Sequence, residues 1–214
     1  ADQTGWYDWI KQFDPLEPRD ISSPGAMIYT SGTTGRPKGV RRKSGTPDEM
    51  DNLYETINQA FDIGPGKRTI IPAPLYHSAP NTYGILCVVM GMDEMVLMPR
   101  FDPEDLLRLI EKHKTTHLQT VPTMFIRMLK LPEEERARYD VSSLEFVVHA
   151  AAPCPPDIKQ QMIDWWGPII NEYYGATEVG AVSFLDSNQW LGHRGSVGKA
   201  MKNCEIVILD DEGR

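Results

Sequence analysis

The stretch MIYTSGTTGRPKGV, residues 27–40, starts as an apolar strand end and passes through Thr30, Ser31, Gly32, Thr33, Thr34 and Gly35 before closing on Pro37, Lys38 and Gly39. A loop of this kind crowds backbone N–H groups, unobstructed at Gly32 and Gly35, beside four hydroxyls, an arrangement that suits phosphate oxygens. Lys38 adds one mobile positive charge, and Pro37 restricts the segment that presents it. The loop is not a Walker A sequence: counted from Gly32, that pattern needs a glycine where Pro37 stands. On composition alone, a phosphate cradle and a flexible surface turn fit the stretch equally well.

Outward from this loop, the chain alternates helix and strand. Met50, Leu53, Tyr54, Ile57 and Phe61 have the spacing of a helix with one buried face, stopped at the Gly64-Pro65-Gly66 turn. RTIIPAPL reads as a short buried strand, residues 76–92 as a largely buried helix and EMVLMP as a strand. Asp102 caps a helix with Pro103 in its first turn and Leu106, Leu107 and Ile110 facing inward, and the strand THLQTV follows. A helix from Pro122, the strand LEFVVHA, the helix PDIKQQMIDWW ended by Gly167 and the strand PIINEYYG complete the series. Strands separated by helices predict an α/β fold, a mainly parallel sheet with helices on both faces. The last stretch, CEIVILDDEGR, reads as a strand entering a turn whose partner strand lies beyond residue 214.

The 214 residues carry a net charge of -8, which argues against a non-specific nucleic-acid binder; the basic triplet Arg41, Arg42 and Lys43 reads as a solvated loop. Cys87, Cys154 and Cys204 lie far apart without C-x-x-C spacing, so no disulfide framework is expected. The longest apolar run, ILCVVMGM, falls well short of the ~20 residues of a membrane span. With no signal-peptide pattern at the start, the expected location is cytoplasmic. His113 and His117 in HKTTH have a metal-binding spacing, but no third ligand stands nearby, and a surface helix end is the expectation. Trp165 and Trp166 are expected as core and rim aromatics, and Glu133 to Glu135 as a solvated first turn after Pro132.

A second motif, NEYYGATEVG at 171–180, by itself describes a strand end, a turn at Gly175 and a segment opened by Thr177 and Glu178. Together the two motifs resemble the adenylate-forming superfamily of acyl-CoA synthetases, peptide-synthetase adenylation domains and luciferases. YTSGTTGRPKGV is similar to that family's signature loop, and YYGATE to its Tyr-Gly-x-Thr-Glu block, in the same order. The resemblance implies a partial acetyl-CoA synthetase-like N-terminal domain over residues 1–214, without the C-terminal domain that carries the catalytic lysine. A chain of this extent is expected to be inactive alone.

For the site, the resemblance implies that Thr30, Ser31, Gly32, Thr33, Thr34, Gly35 and Lys38 hold the β- and γ-phosphates of ATP. Tyr173, Tyr174, Gly175, Ala176 and Thr177 would hold the rest of the nucleotide, Tyr174 stacking on adenine and Thr177 bonding the α-phosphate. Thr30 and Glu178 would take Mg²⁺, and Lys38, Thr177 and Glu178 would carry the catalytic load. Ala151, Ala152 and Pro153 occupy the adenine-binding loop, where Ala150 replaces the commoner glycine. His77, within PLYHSAPN, would line the carboxylate pocket, with Asn81, Thr82 and Tyr83 as further candidates. The implied activity is that of an ATP-dependent acyl-CoA synthetase using a carboxylic acid and coenzyme A, nearest to bacterial fatty-acyl or related CoA ligases. An adenylation domain loading a carrier protein, or a non-catalytic nucleotide-binding core, is the alternative.

Overall fold

The computed structural model describes residues 8–14, 27–30, 36–41, 46–202 and 204–213, the side chains of 47–51 excepted. Its centre is a seven-stranded sheet in the order β4-β3-β5-β6-β7-β8-β9. These strands are β3 (Arg68–Ile71), β4 (Glu94–Leu97), β5 (His117–Thr120), β6 (Phe146–His149), β7 (Ile170–Ala176), β8 (Gly180–Leu185) and β9 (Lys199–Ala200). Strands β3 to β7 pair in parallel, while β8 and β9 fold back antiparallel. A separate antiparallel pair, β1 (Met27–Thr30) with β2 (Lys38–Arg41), precedes them.

Side chains alternate across the sheet, and the core divides accordingly. Ile70, Leu118, Val147 and Ile170 point to the face covered by α3 (Pro103–His113), α4 (Pro122–Leu129), α6 (Pro156–Trp166) and α7 (Ser187–Gly192). Ile71, Val148 and Tyr173 point to the other face, under α1 (Pro47–Phe61) and α2 (Ser78–Val89). Helices therefore cover both faces, as the alternation in the sequence predicts. The Asp102 cap is present, accepting from the Asp105 N–H at 3.0 Å. Trp166 is buried and Trp165 packs at the rim of the same core, and α5 (Glu133–Arg136) is a turn of solvated acids after Pro132.

Three expectations need correction. The segment 76–92 is not largely buried: α2 buries Pro80, Tyr83, Gly84 and Cys87 but exposes Ile85, Val88 and Val89. Its sequence is apolar all round, yet the sheet covers only one side. The apolar run at 204–209 forms no strand, and Ile208 is 92% exposed; its backbone has no ladder to join among the described residues, although the turn after it forms, with the Gly213 N–H donating to Asp210 O. His117 is no surface residue: it is buried in β5, its Nε2 3.1 Å from Asp62 Oδ2, while His113 Nδ1 lies 2.8 Å from Glu94 Oε1. The two histidines serve separate carboxylates, and no metal-binding group of three His, Cys, Asp or Glu occurs among the described residues.

Asp62 anchors the end of α1. Burial raises its carboxyl, but hydrogen bonds from Lys67 and His117 outweigh this and hold it below the ordinary value. All three cysteines are free, and no helix among the described residues is long and apolar enough to cross a membrane.

Candidate nucleotide and acyl site

A cavity of about 1170 Å³ opens between the β1–β2 pair, α1, α2 and the β7–β8 turn. The β1–β2 register explains which side chains the pair contributes. Ile28 opposes Val40 and Thr30 opposes Lys38, so these four share one face, and all four line the cavity. The Thr30–Lys38 pair closes the base of the glycine-rich loop. Ser31, Gly32, Thr33, Thr34 and Gly35 themselves lie outside the described residues, as do Arg42 and Lys43.

The same cavity is lined by Gly175, Ala176, Thr177 and Glu178, together with Val179 and Gly180 at the start of β8. Gly175 is required by packing: a Cβ there would lie 2.0 Å from the Gly180 carbonyl oxygen. The register shifts between Tyr174 and Gly175, a bulge that re-aims the strand end, and the turn beyond it carries Thr177 and Glu178 into the open space. Thr177 Oγ1 lies 3.2 Å from Ser78 Oγ, which joins this turn to the first residue of α2.

The period of β7 separates the two tyrosines. Tyr173 is buried, edge-on to Phe61 at 5.4 Å, and burial pushes its hydroxyl up to about 12. Tyr174 points to the opposite face and is 59% exposed, a free ring surface outside the cavity lining. Ala151 lines the cavity, whereas Ala152 and Pro153 do not. The doubt attached to Ala150 moves one residue along: Ala150 is buried in ordinary geometry, and Ala151 takes φ +73°, the left-handed conformation that favours glycine. His77 is exposed, precedes α2 as its N-cap and lies tilted against the Tyr76 ring, centroids 4.6 Å apart, outside the lining.

Of the further candidates from sequence, Asn81 and Thr82 line the cavity, while Tyr83 is buried outside the lining; the remaining lining residues were not singled out as such. Ser78, Ala79, Asn81, Thr82, Ile85 and Leu86 come from α2, and Asn52, Leu53, Thr56, Ile57, Ala60 and Phe61 from α1. The cavity thus gathers Lys38, Thr177 and Glu178 with a mixed apolar and polar lining from the two helices. Spacing of Leu53, Ile57 and Phe61 gave the helix but not the fact that its face closes a cavity. Ser78 stood inside a quoted motif, beside the histidine that drew attention.

Behind Tyr174 lies a buried polar cluster. Lys159 Nζ of α6 donates to Glu172 Oε2 of β7 at 2.7 Å, and His149 Nε2 of β6 is 3.4 Å from the same oxygen. Burial pulls the Lys159 amine below its usual value against the stabilising Glu172 carboxylate. Burial, with the Lys159 charge, holds His149 neutral and well below the ordinary imidazole range.

Residues 2–214 match the model of the AMP-binding enzyme family. The chain is 30% identical over 209 residues to a long-chain-fatty-acid–CoA ligase of Bacillus subtilis, covering 95% of this chain and 35% of that protein. Among solved structures, amide bond synthetase McbA from Marinactinospora thermotolerans superposes with a TM-score of 0.80 at 27% identity, over 94% of this chain and 40% of that one. The o-succinylbenzoate CoA synthetase of Bacillus subtilis, in complex with its acyl-adenylate intermediate, gives 0.72 at 28% identity, over 97% of this chain and 42% of that one. The chain spans about a third of the length of the curated relatives it matches.

Proposed function

Because the chain belongs to the AMP-binding enzyme family, we propose that it forms the nucleotide- and acyl-binding part of a longer ATP-dependent acyl-CoA synthetase, in which a C-terminal domain supplies the catalytic lysine. One observation carries the reading: the Thr30–Lys38 pair and the Gly175–Glu178 turn, remote in sequence, line one cavity.

The chemistry follows from charge. A carboxylate oxygen attacks the α-phosphorus of ATP, the bond to the bridging oxygen breaks, and pyrophosphate leaves with the electron pair. Lys38 sits at the base of the glycine-rich loop, where it neutralises the β- and γ-phosphates as charge builds on the leaving group. Thr177 donates to an α-phosphate oxygen, and the Ser78 hydroxyl at 3.2 Å orients it. Tyr174 offers adenine an open aromatic face, while Ala151, with no side chain beyond Cβ, admits the purine plane. His77 belongs to the mouth of the acyl pocket. The acid occupies the part of the cavity lined by α1 and α2.

The donor set fits Mg²⁺. Glu178 supplies a single exposed carboxylate and Thr30 a hydroxyl, both oxygen donors on the cavity, and Mg²⁺ is commonly held by one or two carboxylates plus substrate phosphates and water. When bound, the ion would draw charge from the phosphates. The acyl-adenylate then passes to coenzyme A, with release of AMP. The neighbouring amide bond synthetase fold makes an amine the other acceptor to try. We further propose that the protein works in the cytoplasm, in fatty-acid metabolism and without nucleic acid.

The test is pyrophosphate release by the full-length protein across a panel of carboxylic acids, with coenzyme A, an amine or neither. Release that needs one class of acid, with thioester formed when coenzyme A is added, supports the reading. Release independent of every acid contradicts it.

A further inference from the structure

We propose that Lys159, Glu172 and His149 form a positioning unit for the purine end of the nucleotide, an inference that rests on the nucleotide reading above. The three groups meet where two strands part. His149 and Glu172 are register partners at the last pairing of β6 with β7. Beyond that pair β6 leaves the sheet into the Ala150–Pro155 loop, while β7 runs on through Tyr174 to Gly175. Ligands of open parallel sheets sit in the crevice outside the carboxyl ends of the strands, the end at which β6 and β7 part. Here the loop carries Ala151, which lines the cavity, and the strand carries the exposed ring of Tyr174.

Glu172 and Tyr174 are two residues apart on one strand and so project to the same side. Whatever fixes the Glu172 carboxylate fixes the strand that carries the ring. Lys159 does this from the first turns of α6, the helix that begins directly after the loop; its side chain is 0% exposed and its Nζ is 2.7 Å from Glu172 Oε2. One ion pair therefore ties the far end of the loop to the strand facing it. The amine also lies 5.1 Å from the Trp190 ring, which docks α7 on the same point.

Core stability does not explain the cluster. A hydrophobic set of equal volume would serve stability as well as a buried ion pair does, and a lysine near a helix N-terminus faces the unfavourable end of the helix dipole. His149 is fully buried, and both ring nitrogens lack a hydrogen bond. What the pair supplies, and an apolar set would not, is a directional link that holds the crevice at one width.

The test uses the full-length protein with Lys159→Met/Glu172→Gln, which removes both charges and nearly keeps volume, and with Glu172→Gln as a milder second variant. Inhibition by adenosine probes the purine crevice, and inhibition by inorganic tripolyphosphate probes the Lys38 side. Both variants should weaken adenosine inhibition and raise the KM for ATP by about tenfold or more, while tripolyphosphate inhibition and the KM for the carboxylate stay within about twofold. Parallel loss of adenosine and tripolyphosphate inhibition would mean a general structural role and overturns the proposal, as does unchanged adenosine inhibition in a folded variant. A wild-type protein that adenosine and tripolyphosphate do not inhibit would instead refute the nucleotide reading on which the proposal stands.

Discussion

Replacing Gly175 by alanine tests the link between the β7–β8 bulge and the chemistry. The new Cβ would stand 2.0 Å from the Gly180 oxygen, 2.8 Å from its carbonyl carbon and 2.9 Å from Ala181 Cα. Every one of these neighbours is backbone, so no side chain can swing away. A tolerable carbon–oxygen approach is about 3.3 Å, which forces the two strands apart by roughly 1.3 Å at the root of the turn. Overpacking of this kind costs about 1–3 kcal/mol, a fall in Tm of roughly 2–4 °C for each kcal/mol in a chain of this size. Catalysis should suffer more than stability, because Thr177 and Glu178 ride on the displaced turn, and a misplacement of about 1 Å costs on the order of 10² in rate. Gly192→Ala is the matched control, since a Cβ there meets nothing within 4 Å. The assay is thermal denaturation with pyrophosphate release in the full-length protein. A Gly175→Ala protein with the Tm and rate of the Gly192→Ala control would refute the reasoning.

Thr177→Ala should lower kcat by about 10²–10³, whereas Ser78→Ala, which only orients that hydroxyl, should cost less than about tenfold for one net hydrogen bond; steady-state pyrophosphate release separates them. Lys159→Met alone strands the Glu172 carboxylate in the core and should destabilise the fold by roughly 3–5 kcal/mol, while pairing it with Glu172→Gln restores most of that loss, as read by urea denaturation. His149 is held neutral well below the unfolded imidazole value, so its contribution is complete above about pH 6.5. As pH falls below that value the unfolded chain takes up the proton first, and stability drops by up to about 1.4 kcal/mol per unit until the folded pKa is reached. A His149→Leu protein should show a shallower loss between pH 7 and 5; an identical slope would remove His149 from the account.

Elements with one clear apolar stripe and a capping signal were legible: α3 starts at its Asp102 cap, and the strands of the parallel sheet lie where short apolar runs predict them. The alternation of those runs with helices was enough for the fold class. The bulk of the misreadings concern which side of an element is covered, a property of the neighbours. For α2, apolar around its whole circumference, no face could be chosen. Residues 204–209 have strand composition, but a strand exists only with a partner for its backbone groups. His117 looked like surface because its carboxylate partner, Asp62, is far away in the chain. The cavity itself was legible as two motifs and, on α2, as Asn81 and Thr82; the face of α1 that closes it was not, since packing brings it there. Ala151 shows the same limit: the sequence gives the loop a missing glycine, but only the path of the chain leaving β6 decides which residue takes the left-handed turn.

The parallel sheet also governs how the chain reaches its folded state. Each parallel pair joins strands with a helix between them in the chain, so few stabilising contacts are local, and topologies of this type fold slowly for their size. β4 lies on one edge of β3, and from β5 onward the sheet extends the other way through β6 and β7, each of which is a bare edge until its outer neighbour pairs with it. Such edges invite association between half-finished molecules. The antiparallel return of β8 ends that exposure by sealing β7, and the same return builds the turn bearing Thr177 and Glu178.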